Sequence, residues 1–184
     1  MAGDWSDEEL MREVARGRAD RLELLVRRYA VRLMTFLTRM VGDRHRAEEL
    51  FQEVFLAVWQ KRHQYDPERA FRPWLYAVAV NACRAAFRRR VLPTAALGEA
   101  DPADAGEAPS DRICAAETAA QVSRAVTRLP EQQRTVVVLR IWEDLPYARI
   151  AEIVGCTEGT VRSHMHHGLV ALRQHLRPLV ETGA

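Results

Sequence analysis

The chain of 184 residues is short of several things, and each shortage narrows what it can be. It has three cysteines, Cys83, Cys114 and Cys156, far apart and without a CxxC pair, which argues against a disulfide framework or a cysteine-rich zinc site and fits a reducing compartment. Lys61 is the sole lysine among 27 basic residues, so nearly every fixed cation is a guanidinium. Charge of either sign is not in excess, since 25 acids reduce the net charge to +2 and overall charge points to no class of partner. No run of about eighteen apolar residues occurs, and MAGDWSDEELMREV is acidic where a secretory signal would be basic and then apolar, so a soluble cytoplasmic protein is expected. Alternating strand patterns are almost missing too, which excludes a sheet-based fold.

What is present is apolar spacing of three and four, and 48% hydrophobic residues are enough for a core. The expected fold is all-α: helices over about 6–17, 19–41, 44–62 and 72–90, then 112–128, 131–142, 147–154 and 158–177. Pro130 and Pro146 stand where helices start, because the first turn leaves its N–H groups unbonded anyway. Between the two sets, residues 91–111 carry five acids, no base, and alanine, proline and glycine in place of periodic hydrophobics. This reads as a flexible acidic linker joining two small helical domains, 1–90 and 112–184.

In the second domain Ile150, Ala151, Val154, Gly155, Cys156 and Val161 fall where a helix-turn-helix needs them. A small residue lets the helices cross closely and a glycine permits the positive φ of the turn. Thr157 is the expected N-cap. The next helix has an expected inward stripe of Val161, Met165, Gly168, Leu169, Leu172 and Leu176, and an outer face of Gly159, Thr160, Arg162, Ser163, His166 and His167 with His164 on its flank. Such groups bond phosphates and base edges when a helix enters a major groove. His164 and His167 could share a metal, but a closed zinc site takes four ligands and no acid or thiol follows on that face. The histidines therefore read as surface contacts, with neither metal nor cofactor expected.

In the first domain, AEELFQEVFLAVWQ (47–60) is apolar on more than one side, with Leu50, Val54, Ala57 and Val58 inward and Phe55, Leu56 and Trp59 elsewhere, beside Glu48, Glu49 and Gln52. Such a helix is either sandwiched in its own domain or displays an interface. In AFRPWLYAVAVNACRAAFRRR (70–90), Leu75, Val78, Ala79, Ala82 and Ala86 form the inward stripe, while Trp74, Asn81, Arg84 and Arg88 turn outward. Its arginine-rich end is open to two readings: complements of the helix dipole, or partners of aromatic rings in holding unstacked bases.

The run from Leu129 to Arg173 follows LPxxxRxVxxLRxxExLxYxxIAxxxGxxxGTVxSxxxxxxxxLR and resembles region 4 of bacterial sigma factors. The helix 47–59 and the segment 71–90 resemble region 2, and the layout, with nothing left for region 1.1 or a folded region 3, is like the small extracytoplasmic-function (ECF) type. The resemblance implies a non-enzymatic alternative sigma factor that binds the clamp and flap regions of core RNA polymerase, reads promoter DNA, and is held by an anti-sigma factor. It also implies polymerase contact by Glu48, Glu49, Gln52, Glu53, Leu56 and Trp59, and minus-ten contact by His63, Tyr65, Phe71, Arg72, Trp74, Asn81, Arg84 and Arg88. Minus-thirty-five contact falls to the outer face that begins at Thr157. Family members commonly carry basic residues in place of His164, His167 and Leu169, and an acid in place of Ala85. Fewer cations on the helix imply a flatter salt dependence of binding. The rival readings are a stand-alone helix-turn-helix regulator, which would bind DNA without polymerase, and a metal-dependent enzyme, for which no ligand set is visible.

Overall fold

The computed structural model describes the backbone of residues 5–91 and 110–182 and the side chains of 5–89 and 118–177. Eight helices make up the described residues, and no strand occurs among them: α1 (Asp7–Ala15), α2 (Ala19–Val41), α3 (Arg44–Gln60), α4 (Phe71–Val91), α5 (Ser110–Thr127), α6 (Glu131–Ile141), α7 (Tyr147–Val154) and α8 (Glu158–Thr182). The all-α expectation holds, and α8 continues past the expected end at 177. Nearly all of the expected linker lies outside the described residues. The chain divides into two compact units, one holding α1, α3, α4 and most of α2, the other α5–α8.

Local chemistry sets the boundaries. Ser6 and Glu9 form a reciprocal capping box at the start of α1, the Glu9 N–H donating to Ser6 Oγ (3.1 Å) and the Ser6 N–H to Glu9 Oε2 (2.8 Å). Pro130 and Pro146 each occupy the cap position just before the first helical residue. Arg134 donates to the Thr127 and Leu129 carbonyls, tying the α5–α6 turn.

In the first unit α4 is buried on several sides: Phe71, Leu75, Tyr76, Ala79, Val80 and Cys83 are at most 1% exposed. Of the expected stripe, Leu75, Val78, Ala79 and Ala86 are buried and Ala82 is half-buried, and Phe71, Tyr76, Val80 and Cys83 are buried beside them on other sides of the helix. Buried in the same unit are Leu10, Met11 and Val14 of α1, Leu33, Phe36 and Leu37 of α2, and Leu50, Val54 and Val58 of α3, with the Phe36 ring edge to face with Tyr76 of α4 at 5.1 Å. Phe55, expected to point away, is buried against Phe51, ring centroids 5.0 Å apart. In the second unit α6 plays the central part, with Thr135 through Leu139 all buried, and α8 packs on α5, α6 and α7.

Candidate nucleic-acid interface

Three residues build the turn that presents α8. Gly155 ends α7 in the left-handed region (φ 76), which glycine enters without strain, and its N–H donates to the Ala151 carbonyl (2.9 Å). Thr157 Oγ1 accepts from the Thr160 N–H (3.2 Å), so it caps α8 as expected. Ile150, Ala151, Val154 and Val161 are buried beneath the turn, and Cys156 is half-buried.

With its core side fixed, α8 exposes Gly159, Thr160, Arg162, Ser163, His166 and His167, while His164 is half-buried. The rings of His166 and His167 lie edge to face, 5.7 Å apart. Among the described residues no group of three or more His, Cys, Asp or Glu side chains is placed to hold a metal. Leu169 departs from the expected inward stripe, being 44% exposed. Gly168 explains this: α8 approaches α6 so closely there that the buried sector centres on 165, 168 and 172, turning 169 outward.

Two residues that the sequence reading gave no site role support Arg162. Its guanidinium lies 4.6 Å from the ring centroid of Tyr147 and 3.5 Å from Glu158, and the Arg140 guanidinium sits 5.4 Å from the same ring. Arg140 in turn meets Asp144 at 3.1 Å, a residue with positive φ in the α6–α7 turn. The signal that could have found Tyr147 and Arg140 was their place in the run LRIWEDLPYARIA, and Glu158 stands four residues before Arg162 on the same helix.

The start of α4 differs from its expectation. Phe71 is fully buried and Tyr65 nearly so, because the edges of Tyr29 and Tyr65 pack on Phe71 at 5.5 and 5.9 Å and the Tyr65 hydroxyl donates to the Arg69 carbonyl. These rings form a small aromatic core and present no open face. Trp74, half-buried, packs tilted against Tyr65, ring centroids 5.1 Å apart, at the edge of that core. His63, Asn81 and Arg88 are exposed, Arg84 half-buried, and Arg72 lies 5.9 Å from the Tyr76 ring. Burial first, and the Asp7 bond second, push the Tyr29 hydroxyl well above its ordinary 10.0; burial likewise raises Tyr65.

On α3 the expected contact residues share an outward face: Glu48, Glu49 and Gln52 are exposed and Leu56 is 57% exposed. Trp59 is half-buried under the Arg62 guanidinium (4.4 Å), and Glu53 pairs with Arg89 of α4 at 3.1 Å. Phe55 is packed inward, as a sandwiched helix requires, while Leu56 is left exposed on the outer face.

Comparison with known proteins assigns both units. The sigma-70 region 2 family matches residues 25–91 and the sigma-70 region 4 family residues 119–172. The ECF RNA polymerase sigma factor SigW of Bacillus subtilis (strain 168) is 30% identical over 179 residues, spanning 92% of this chain and 96% of SigW. The chain belongs to the ECF sigma factors. It is therefore an alternative sigma factor, which directs core RNA polymerase to promoters for transcription initiation. Among other relatives, the RNA polymerase sigma-H factor of Pseudomonas aeruginosa is 31% identical over 184 residues, 95% of each chain. A solved structure with the same fold is CnrH in complex with the cytosolic domain of CnrY (TM-score 0.70, 21% identity, 94% of this chain and 97% of that one). RpoE of Bartonella quintana, solved with the anti-sigma factor NepR, has a TM-score of 0.65 at 19% identity over 84% of this chain and 96% of that one.

Proposed function

We propose that this ECF sigma factor divides promoter recognition between its units, residues 1–90 acting downstream and 112–184 upstream, joined through 91–111. The α8 face carries the upstream contact. Thr157, Gly159, Thr160, Arg162, Ser163, His166 and His167 lie on the half of the helix nearest its N-terminus, where the positive end of the dipole favours phosphate. The observation that carries this reading is Arg162, exposed yet held between Tyr147 and Glu158, because a guanidinium already in place loses less entropy on meeting a phosphate or a guanine edge.

In the first unit His63, Arg72, Trp74, Asn81, Arg84 and Arg88 engage the separated strand of the minus-ten element, and the buried rings of Tyr65 and Phe71 hold that surface in place. A base stacked on an aromatic ring contributes about 1–3 kcal/mol, enough to offset its unstacking from the duplex. The α3 face of Glu48, Glu49, Gln52, Glu53, Leu56 and Trp59 docks on the polymerase clamp, an apolar side chain among acids suiting a basic partner helix. Binding alone does this work, with no bond chemistry by the protein, and it takes place in the cytoplasm where core polymerase acts. An anti-sigma factor is the expected regulator, since RpoE of Bartonella quintana, which shares the fold, was solved with one.

The test is run-off transcription with purified core polymerase on fragmented genomic DNA, sequencing RNA starts with and without the protein. New starts sharing two upstream elements at fixed spacing are expected. Sequence-specific DNA binding without polymerase, and no new starts, would instead make the chain a stand-alone regulator.

A further inference from the structure

The region 2 match begins at residue 25, so α1 lies outside it. Yet α1 is fastened to the part of the unit that carries the minus-ten contacts. The Phe71 N–H, first in α4, donates to Glu8 Oε1 at 2.9 Å across 63 residues. One residue earlier, Asp7 accepts from the Tyr29 hydroxyl and pairs with Arg28, and one turn later Arg12 meets Glu68 at 3.5 Å. Leu10, Met11 and Val14 anchor α1 in the core, each with no exposed surface.

The start of α4 needs an acceptor from elsewhere. Ala70, before the helix, has no side chain able to cap, and Pro73 removes one N–H from the first turn without satisfying the others. Glu8 supplies a carboxylate there while also lying in the first turn of α1, so it faces the positive ends of two helices. Partial burial pushes its carboxyl upward, and the bonds from the Phe71 N–H and the Ser6 hydroxyl outweigh that, holding it below the ordinary 4.5.

We infer that Glu8 is a positioning residue for promoter opening: by capping α4 from α1 it fixes Phe71 and, through it, the surface of Trp74 and His63 that captures the separated strand. This rests on the reading of the minus-ten face above. The cap does not touch DNA, and it sets how much of the population holds that surface ready.

The test uses full-length protein with core polymerase. Three quantities are compared for wild type, Glu8→Ala, and Glu8→Ala combined with Ala70→Ser, which puts a cap in cis at α4. They are affinity for core, affinity for a duplex bearing the upstream element alone, and permanganate-detected strand opening at the downstream element. Glu8→Ala should reduce opening about fivefold, the equivalent of one helix cap, with the two affinities unchanged, and Ala70→Ser should restore most of it. Unchanged opening in Glu8→Ala would overturn the inference, as would a parallel fall in all three quantities that Ala70→Ser fails to restore. If wild type itself opens no promoter, the underlying minus-ten reading fails, whatever the variants do.

Discussion

At Gly168 α8 approaches α6 too closely to leave room for a side chain, and replacing it with alanine tests whether that approach sets the helix. A Cβ built there would stand 2.7 Å from Val137 Cγ2, against a comfortable carbon–carbon separation of about 3.5–4.0 Å. Val137 is fully buried and β-branched, so it has no alternative rotamer to swing into. On an open helix Gly→Ala would gain about 1 kcal/mol from propensity. Here overpacking costs about 1–3 kcal/mol, so Gly168→Ala should be neutral at best and show a net loss of up to roughly 2 kcal/mol. Val137→Ala alone removes two methyl groups and leaves a cavity, at about 2 kcal/mol or more, and the added methyl of Gly168→Ala should fill part of it. The double variant should thus be more stable than the sum of the two by at least about 1 kcal/mol, a coupling of the size seen for residues in contact. Hydrogen exchange of α6 and α8 peptides reads this locally, and thermal unfolding reads it globally. If Gly168→Ala stabilises the chain, or the two losses simply add, the close approach is not what fixes α8.

Other expectations follow from the same geometry. Thr157→Ala removes the cap of α8 and should cost about 1 kcal/mol in the second unit, with Thr157→Ser nearly silent, as measured by denaturant unfolding. Arg162→Ala should weaken upstream-duplex binding and lower the slope of log affinity against log salt by about 0.9 if its contact is a phosphate. If the contact is a guanine edge, the slope should hold while discrimination at one base pair is lost, so an unchanged slope with unchanged discrimination would remove Arg162 from the interface. Tyr29 has a hydroxyl raised above its ordinary 10.0 by burial and the Asp7 bond. It contributes stability that is fully present below pH 10.0 and declines as pH rises beyond it, where the unfolded chain ionises first. Wild type should therefore lose first-unit stability above that pH faster than Tyr29→Phe, and with Lys61 the sole lysine few other groups obscure the comparison.

The helix-turn-helix was legible because each of its residues has one physical reason to be there. Gly155 has φ 76, Thr157 holds the Thr160 N–H, and the buried small and branched residues sit between. Leu169 was misplaced because a stripe drawn at 100° per residue assumes a helix resting evenly on its core, and Gly168 shifts the line of contact by one residue. Phe55, Tyr76, Val80 and Cys83 were missed as core for another reason, that periodicity reports one buried side and central helices have several. Tyr65 and Phe71 read as base-gripping rings because an aromatic residue looks the same in sequence whether its face is open or packed. The Glu8 bond to Phe71 could not be read at all, since nothing local in either segment refers to the other.

The arginine bias of the chain takes on meaning in the way its guanidiniums lie against rings: Arg21 on Trp5 (4.9 Å), Arg62 on Trp59 (4.4 Å), Arg140 and Arg162 on Tyr147. Each pair works as a laminate, an apolar sheet faced with a charged one. Lysine offers the same charge as a point on a flexible stem, with no plane to lay along the ring. Arg162→Lys, neutral in any count of charge, would remove one of the two guanidiniums from Tyr147 and alter the face proposed to meet the promoter.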